Sequence, residues 1–251
     1  MARTVAVVQA RLGSTRLPGK IMLPLLGEPI LTRVMRRTAR ATLLDLVVVA
    51  TTNLAADDAI VELADREGWP VVRGSEADLL DRYIEAGRRH EADRVVRITS
   101  DCPLIDPALI DDVVAALEQE GGDYASNTLE PRTYPRGLDV GAVTLAALET
   151  AGRADDDPAS REHATPWIRR HPERFRVVRV AGAIDRSVHR WTVDTPEDYT
   201  LVRRLYAALG GDDFTWLDAL AIAEANPDWG TSNRGVVQKP VPPPAPTDAG
   251  A

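Results

Sequence analysis

The sequence predicts an α/β fold, a mainly parallel sheet covered by helices on both faces. Two observations carry this prediction. Short apolar runs of strand length alternate with segments of helical periodicity through the first half of the chain. The 251 residues, 44% hydrophobic and 27% charged, suffice for a large core and have the composition of a globular rather than a disordered protein.

TVAVVQ at positions 4–9 reads as a strand, and a loop with Gly and Pro follows over 11–27. Positions 29–40 read as a helix because Ile30, Leu31, Val34 and Met35 fall on one face. LVVVA at 46–50 is a second buried strand, 57–67 a helix ended by Gly68, and 70–72 the start of a short strand. A helix is expected over 76–90, a strand over 94–99 (RVVRIT), and a helix over 107–120 with Pro at its first position. Right-handed crossovers join such units. The pattern then changes. Positions 123–141 mix strand-like and turn-like pieces, 145–151 and 160–171 read as helices, and 176–180 and 189–193 read as strands. Helices over 196–209 and 215–225 close the fold. With no repeat and no linker, residues 1–235 are expected to form one domain with an inserted lobe near 123–185. The Pro-rich stretch 239–251 is expected to be a disordered tail.

Composition removes several function classes. No stretch approaches the roughly 20 apolar residues of a membrane-spanning helix, and the start reads as a strand with no signal-peptide layout, so a cytoplasmic protein without a membrane partner is expected. One Cys allows neither an internal disulfide nor a Cys-rich zinc site. A net charge of −8 speaks against a general nucleic-acid binder, and the five Trp are scattered without basic interleaving. The chain uses Arg almost everywhere; of 30 basic residues only Lys20 and Lys239 are Lys.

Lys20 closes the segment QARLGSTRLPGK, positions 9–20. It follows the first strand, where open α/β sheets bind ligands at strand carboxyl ends. Glycines let backbone amides approach an anion, and Arg and Lys neutralise it, which is polyphosphate chemistry. The spacing is neither G-x-x-x-x-G-K-[ST] nor G-x-G-x-x-G. The bland alternative is a solvated basic turn; the position, the composition and the isolated Lys favour the phosphate site. Two carboxylates are left over at strand ends. Asp106-Pro107 reads as a helix N-cap, and so does Thr195-Pro196 with Asp198 completing a capping box. Asp101 and Asp194 are not needed for those caps. Two such carboxylates suit Mg²⁺, which takes one or two carboxylates, waters and substrate phosphates.

QARLGSTRLPGK resembles the opening motif of the CTP-dependent cytidylyltransferases that activate acidic sugars, the superfamily of the CMP-ketodeoxyoctonate and CMP-sialate synthetases. Within it the chain is most similar to the SpsF-like spore-coat-polysaccharide branch. SDCPL at 100–104 and VDTPED at 193–198 resemble further motifs of that family, and the resemblance covers most of residues 3–205. It implies a Rossmann-like three-layer α/β/α nucleotidyltransferase fold with a dimerisation and acceptor lobe, and a homodimer. It implies that Arg11, Gly13, Ser14, Arg16 and Lys20 hold the triphosphate of CTP, with Arg11, Arg16 and Lys20 catalytic, and that Asp101 and Asp194 bind Mg²⁺. Arg73 and Ser75 would lie near the cytosine base, although Ser75 also reads as an N-cap. Arg82, in the EADLLDRY stretch, is a further contributor on the helix that follows. YPRGLDV at 134–140 and SREH at 160–163 resemble further family segments; Asn127, Arg136, Asp139 and His163 would lie on the acceptor side, with a plain surface turn and a structural His as the alternatives. Gly141 stands where this branch often has Glu. Cys102 reads as packing.

The expected reaction is transfer of CMP from CTP to an acidic acceptor, a sugar acid or a phosphonate, with release of pyrophosphate. Three rivals are a nucleotidyltransferase using UTP, GTP or ATP, a nucleotide-sugar glycosyltransferase, and a non-catalytic nucleotide-binding regulator. Asp101-Cys102-Pro103, where glycosyltransferases often have Asp-x-Asp, argues against the second. Intact Lys20, Asp101 and Asp194 argue against the third.

Overall fold

Alternation along the first strand sets up two cores. In a computed structural model that describes residues 2–238, β1 (Thr4–Gln9) sends Ala6 and Val8 into one core and Val5 and Val7 into the other. The chain continues through a small hairpin, β2 (Pro24–Leu25) and β3 (Glu28–Pro29), into α1 (Ile30–Thr38). Then come β4 (Leu46–Thr52), α2 (Asp58–Glu67), β5 (Val71–Gly74), α3 (Leu79–Arg89), β6 (Arg94–Thr99) and α4 (Pro107–Gln119). The second half supplies β7 (Tyr124–Ser126), β8 (Gly141–Thr144), α5 (Leu145–Ala154), α6 (Pro158–Arg161), α7 (Pro166–Arg170), β9 (Val177–Arg179), α8 (Pro196–Leu209) and α9 (Trp216–Ala225).

Seven strands form one sheet in the order β5-β4-β1-β6-β8-β7-β9. Only β8 runs against the others. Helices α1, α2, α4, α8 and α9 cover the face of Ala6 and Val8. Helices α3, α5 and α7 cover the face of Val5 and Val7. This is the expected α/β architecture with a mostly parallel sheet.

Two sequence expectations need correction. The 160–171 helix is broken: Ala164 takes a positive φ of 64° and α7 restarts at Pro166. Pro has no N–H to donate, and its ring clashes with the carbonyl of the preceding turn, so no helix runs through it. The 189–193 strand does not form. Arg190 makes one isolated bridge with Arg136, and the segment's backbone bonds go to loops, from Trp191 N–H to the Arg136 carbonyl and from Val193 N–H to the Asp101 carbonyl. The 123–185 segment contributes β7, β8 and β9 to the central sheet. The tail expected over 239–251 lies outside the described residues.

Candidate active site

The chain leaves β1 for β4 and β5 on one flank and places β6 on the other. Loops at the carboxyl ends of β1 and β6 therefore diverge and leave a crevice. A cavity of about 450 Å³ opens there, lined by the loop after β1, the end of β6, α3 and Asp194. The loop is fixed from below. Leu12 N–H donates to Asp57 (2.7 Å), whose other oxygen accepts from the Thr52 hydroxyl. Gly19, at φ 66°, closes the loop by donating to the Leu12 carbonyl (3.1 Å) and opens a short 3₁₀ turn at Lys20. Its left-handed backbone favours glycine. The Ser14 hydroxyl accepts from Leu17 N–H (3.4 Å), within the same loop.

Lys20 is where the two spare carboxylates meet. Its Nζ lies 2.6 Å from Asp101 Oδ2 and 2.8 Å from Asp194 Oδ1. The second Asp194 oxygen takes Arg16 at 3.1 Å and Arg190 at 2.7 Å. Burial opposes the charge on Lys20, but Asp101 and Asp194 outweigh it and the ammonium pKa is raised. Burial likewise pushes the Asp101 carboxyl up, yet Lys20, Thr99 and Cys102 together hold it below its ordinary range. The two aspartates converge because the Asp101 carbonyl accepts from Val193 N–H at 2.8 Å, tying the loop after β6 to the segment before α8.

A buried framework stands behind Asp194. Asp198 caps α8 with Thr195, accepts from Asp194 N–H (3.0 Å), and pairs with Arg190 (2.9 Å). Asn233 donates to both Asp198 and the Arg190 carbonyl, each at 3.0 Å. Arg190 also donates to the Gln238 side chain (2.8 Å), and Gln238 lines the cavity.

The remaining expected residues divide into two groups. Arg11, Gly13, Ser14, Arg16 and His163 line the cavity with Lys20, Asp101 and Asp194. Arg11 reaches Glu162 (3.4 Å) and Glu76 (3.6 Å), both exposed pairs. Ser75 lines an adjoining depression with Arg11, Asn53 and Leu54. Arg73 turns elsewhere, donating to the Thr52 and Leu54 carbonyls and pairing with Asp58 (2.8 Å). It braces the loop after β4. Asn127 is buried and its amide is used as a clamp, donating to the Leu138 carbonyl (2.6 Å) and accepting from Val140 N–H (2.9 Å). Asp139 pairs with Arg132 and accepts from Gly137 N–H (3.0 Å); burial raises its pKa, but Arg132 holds it below the usual range. Arg136 lines a separate cavity of about 720 Å³ with His189, Trp191 and Trp229. The structure thus gives Asn127 and Asp139 a loop-building task and sets Arg136 apart from Lys20.

A profile for the family described as Cytidylyltransferase matches residues 5–213. The chain belongs to that family. The spore coat polysaccharide biosynthesis protein SpsF of Bacillus subtilis (strain 168) is 31% identical to this cytidylyltransferase over 232 residues, covering 90% of this chain and 95% of SpsF. The solved structure of a cytidylyltransferase from Leptospira borgpetersenii serovar Hardjo-bovis (strain JB197) matches with a TM-score of 0.87 at 34% identity, covering 91% of this chain and 97% of that one. A CMP-2-keto-3-deoxy-manno-octonic acid synthetase, solved with CTP, shares the fold at a TM-score of 0.63 and 21% identity, covering 83% of this chain and all (100%) of that one. This cytidylyltransferase is accordingly a nucleotidyltransferase.

Sequence reasoning missed Arg190, Arg97 and Asn233 in this cytidylyltransferase. Arg97 carried a signal. In RVVRIT it shares the strand face of Val95 and Thr99, so alternation alone puts a cation on an inward face. Arg190 carried a weaker one, its spacing of four from Asp194 and eight from Asp198.

Proposed function

We propose that the chain transfers CMP from CTP to an acidic acceptor, a sugar acid or a phosphonate, and releases pyrophosphate in a Mg²⁺-dependent reaction. The observation that carries this reading is the meeting of Lys20 with Asp101 and Asp194 at the switch point, beneath a loop bearing Arg11 and Arg16. The family supports a cytidylyl donor. The named relative SpsF supports an acceptor used in polysaccharide synthesis, and the synthetase solved with CTP supports the nucleotide.

The donor set fits the metal. Two carboxylates already aim at one cationic point, and among the described residues no cluster of three or more His, Cys, Asp or Glu competes for an ion. Two carboxylates with phosphates and waters suit Mg²⁺. Asp101 and Asp194 would hold it. When bound, Mg²⁺ supplies neutralisation of phosphate charge.

An acceptor oxygen attacks the α-phosphorus of CTP. The bond from that phosphorus to the oxygen bridging to the β-phosphate breaks, and pyrophosphate leaves with the electron pair. The proton of the acceptor oxygen passes to solvent. Arg11 and Arg16 neutralise the departing pyrophosphate, and Lys20 adds its positive charge beside the phosphates. Arg190, Asp198 and Asn233 hold Asp194 in place. A homodimer and a cytoplasmic setting belong to the same reading.

Thermal shift with CTP, UTP, GTP and ATP, each with and without Mg²⁺, tests the donor without knowledge of the acceptor, because a ligand bound only by the folded state raises its melting temperature. A shift selective for CTP with Mg²⁺ is expected. Selectivity for another nucleotide would replace the donor, and no shift at millimolar nucleotide would overturn the reading.

A further inference from the structure

Most buried cations of this chain have an evident partner. Lys20 has two carboxylates, Arg33 has Asp212 at 2.7 Å, and Arg190 has Asp194 and Asp198. Two arginines in the wall of the nucleotide cavity differ. Arg82 on α3 and Arg97 on β6 both line the cavity. The Nε of each is buried and has no hydrogen-bond partner among the described residues. Arg82 is only 4% exposed, and Arg97 is half-buried. The groups that face them carry both signs, and none hydrogen-bonds to either buried Nε. Burial lowers the pKa of Arg82, and Arg11 adds to it, against Tyr83, Asp57 and Glu76, which raise it. Burial and then Arg97 lower that of His163, against Glu162. A guanidinium withdrawn from water without a partner is costly. Such a cost is retained where a ligand anion repays it.

The position separates this pair from the phosphate loop. Arg97 lies two residues inside β6, about 7 Å of extended chain below its end at Thr99. It sits on the face covered by α3, whereas Arg11, Arg16 and Lys20 belong to the loop above the sheet edge. A planar guanidinium fork matches a carboxylate or phosphonate in two parallel hydrogen bonds.

Resting on the cytidylyltransferase reading, we propose that Arg82 and Arg97 form a second anion subsite that holds the acid group of the acceptor. His163 borders this subsite. The acid group anchors the acceptor at the floor of the cavity while its attacking oxygen meets the α-phosphorus above.

Titration calorimetry on the full chain tests this with two small probes, methylphosphonate and pyruvate, with glycerol as the neutral control. Each is titrated into protein alone and into protein saturated with CTP and Mg²⁺. Wild type is expected to bind at least one probe in both states. Arg82→Met and Arg97→Met are expected to lose that binding at least tenfold and to keep CTP affinity within threefold. Without ligand, both variants should melt no lower than wild type, because each removes an uncompensated charge. A merely structural arginine would melt lower when replaced. Arg97→Lys, which keeps the charge but not the fork, should fall between. The proposal is overturned if no probe binds wild type, if the Met variants bind probes unchanged, or if CTP affinity falls as far as probe affinity. In the last case the pair belongs to the nucleotide. Probe binding that depends on Arg82 and Arg97 in a protein that ignores CTP would sink the cytidylyltransferase reading and leave the anion subsite standing.

Discussion

Lys20 answers two carboxylates with one ammonium, and that fixes what its loss should do. In Lys20→Met, Asp101 and Asp194 confront each other with Arg16 and Arg190 as the remaining cations. Turnover should fall roughly 10²–10³-fold if Lys20 neutralises phosphate charge in the transition state. If Asp101 and Asp194 hold the metal, added Mg²⁺ should raise the melting temperature of the variant more than that of wild type, which keeps an ammonium at that point. A magnesium series followed by thermal melts checks this, and equal responses would show that ammonium and metal do not share the point. Lys20 was legible in the sequence because Lys is so rare in this chain. Arg190, bonded to the same carboxylate, was one arginine among many and carried no such contrast. Arg73 looked equivalent to Ser75 beside it, yet only packing against the loop after β4 decided which of the two turned away.

Glycine with positive φ has two different meanings at the level of loops and elements. Gly19 (φ 66°) has open space around the position of a Cβ, whereas a Cβ on Gly137 (φ 106°) would lie 2.5 Å from the Trp191 carbonyl carbon and 2.6 Å from the Thr192 nitrogen. Those are backbone atoms of the segment that leads to Asp194, so they cannot rotate aside. Gly19→Asn should cost no more than about 1 kcal/mol, because Asn tolerates the left-handed region. Gly137→Asn should cost at least about 2 kcal/mol. Urea unfolding of the two variants measures the contrast, and equal costs would remove the close approach as an explanation. The same comparison shows why the second half of the fold read poorly. Strands β1, β4 and β6 run six or seven residues around buried apolar positions, long enough to be recognised. β7 and β9 have three residues each, too few for a period to show. The 189–193 stretch has the composition of a strand but bonds to the Arg136 loop and to Asp101. The motif at Gly137 was expected to face a ligand; in the structure its first task is to let two loops touch.

Across the whole molecule, the site is assembled from parts distant in sequence, the loop after β1, the turn after β6 and the segment before α8. The sheet order brings the first two together; strand–helix alternation announced the parallel strands but not their order. The third arrives through backbone bonds to Asp101 that no periodicity announces. The last described residues join the same framework, since Asn233 is 3% exposed and donates to Asp198 and to the Arg190 carbonyl. A chain ending at Thr231 should therefore lose about 1–3 kcal/mol, the cost of leaving buried acceptors without a donor. It should also lose activity beyond what its unfolded fraction explains, because Asp194 hangs on that framework. Chemical denaturation and pyrophosphate release on the shortened chain check both, and full activity per folded molecule would detach the C-terminal segment from the site.

The single cysteine makes this end of the chain a natural place for an optical reporter. Cys102 is 3% exposed, and burial and then Asp101 push its thiol well up, so it is a poor target for maleimide dyes. Gln238, by contrast, is exposed at the cavity rim, where its side chain accepts from Arg190. A Gln238→Cys protein would take one fluorophore at one place, within a side chain's reach of Arg190. Ligand arrival would then register as a change in emission, so that nucleotides and acid acceptors could be screened by light alone before any product is known.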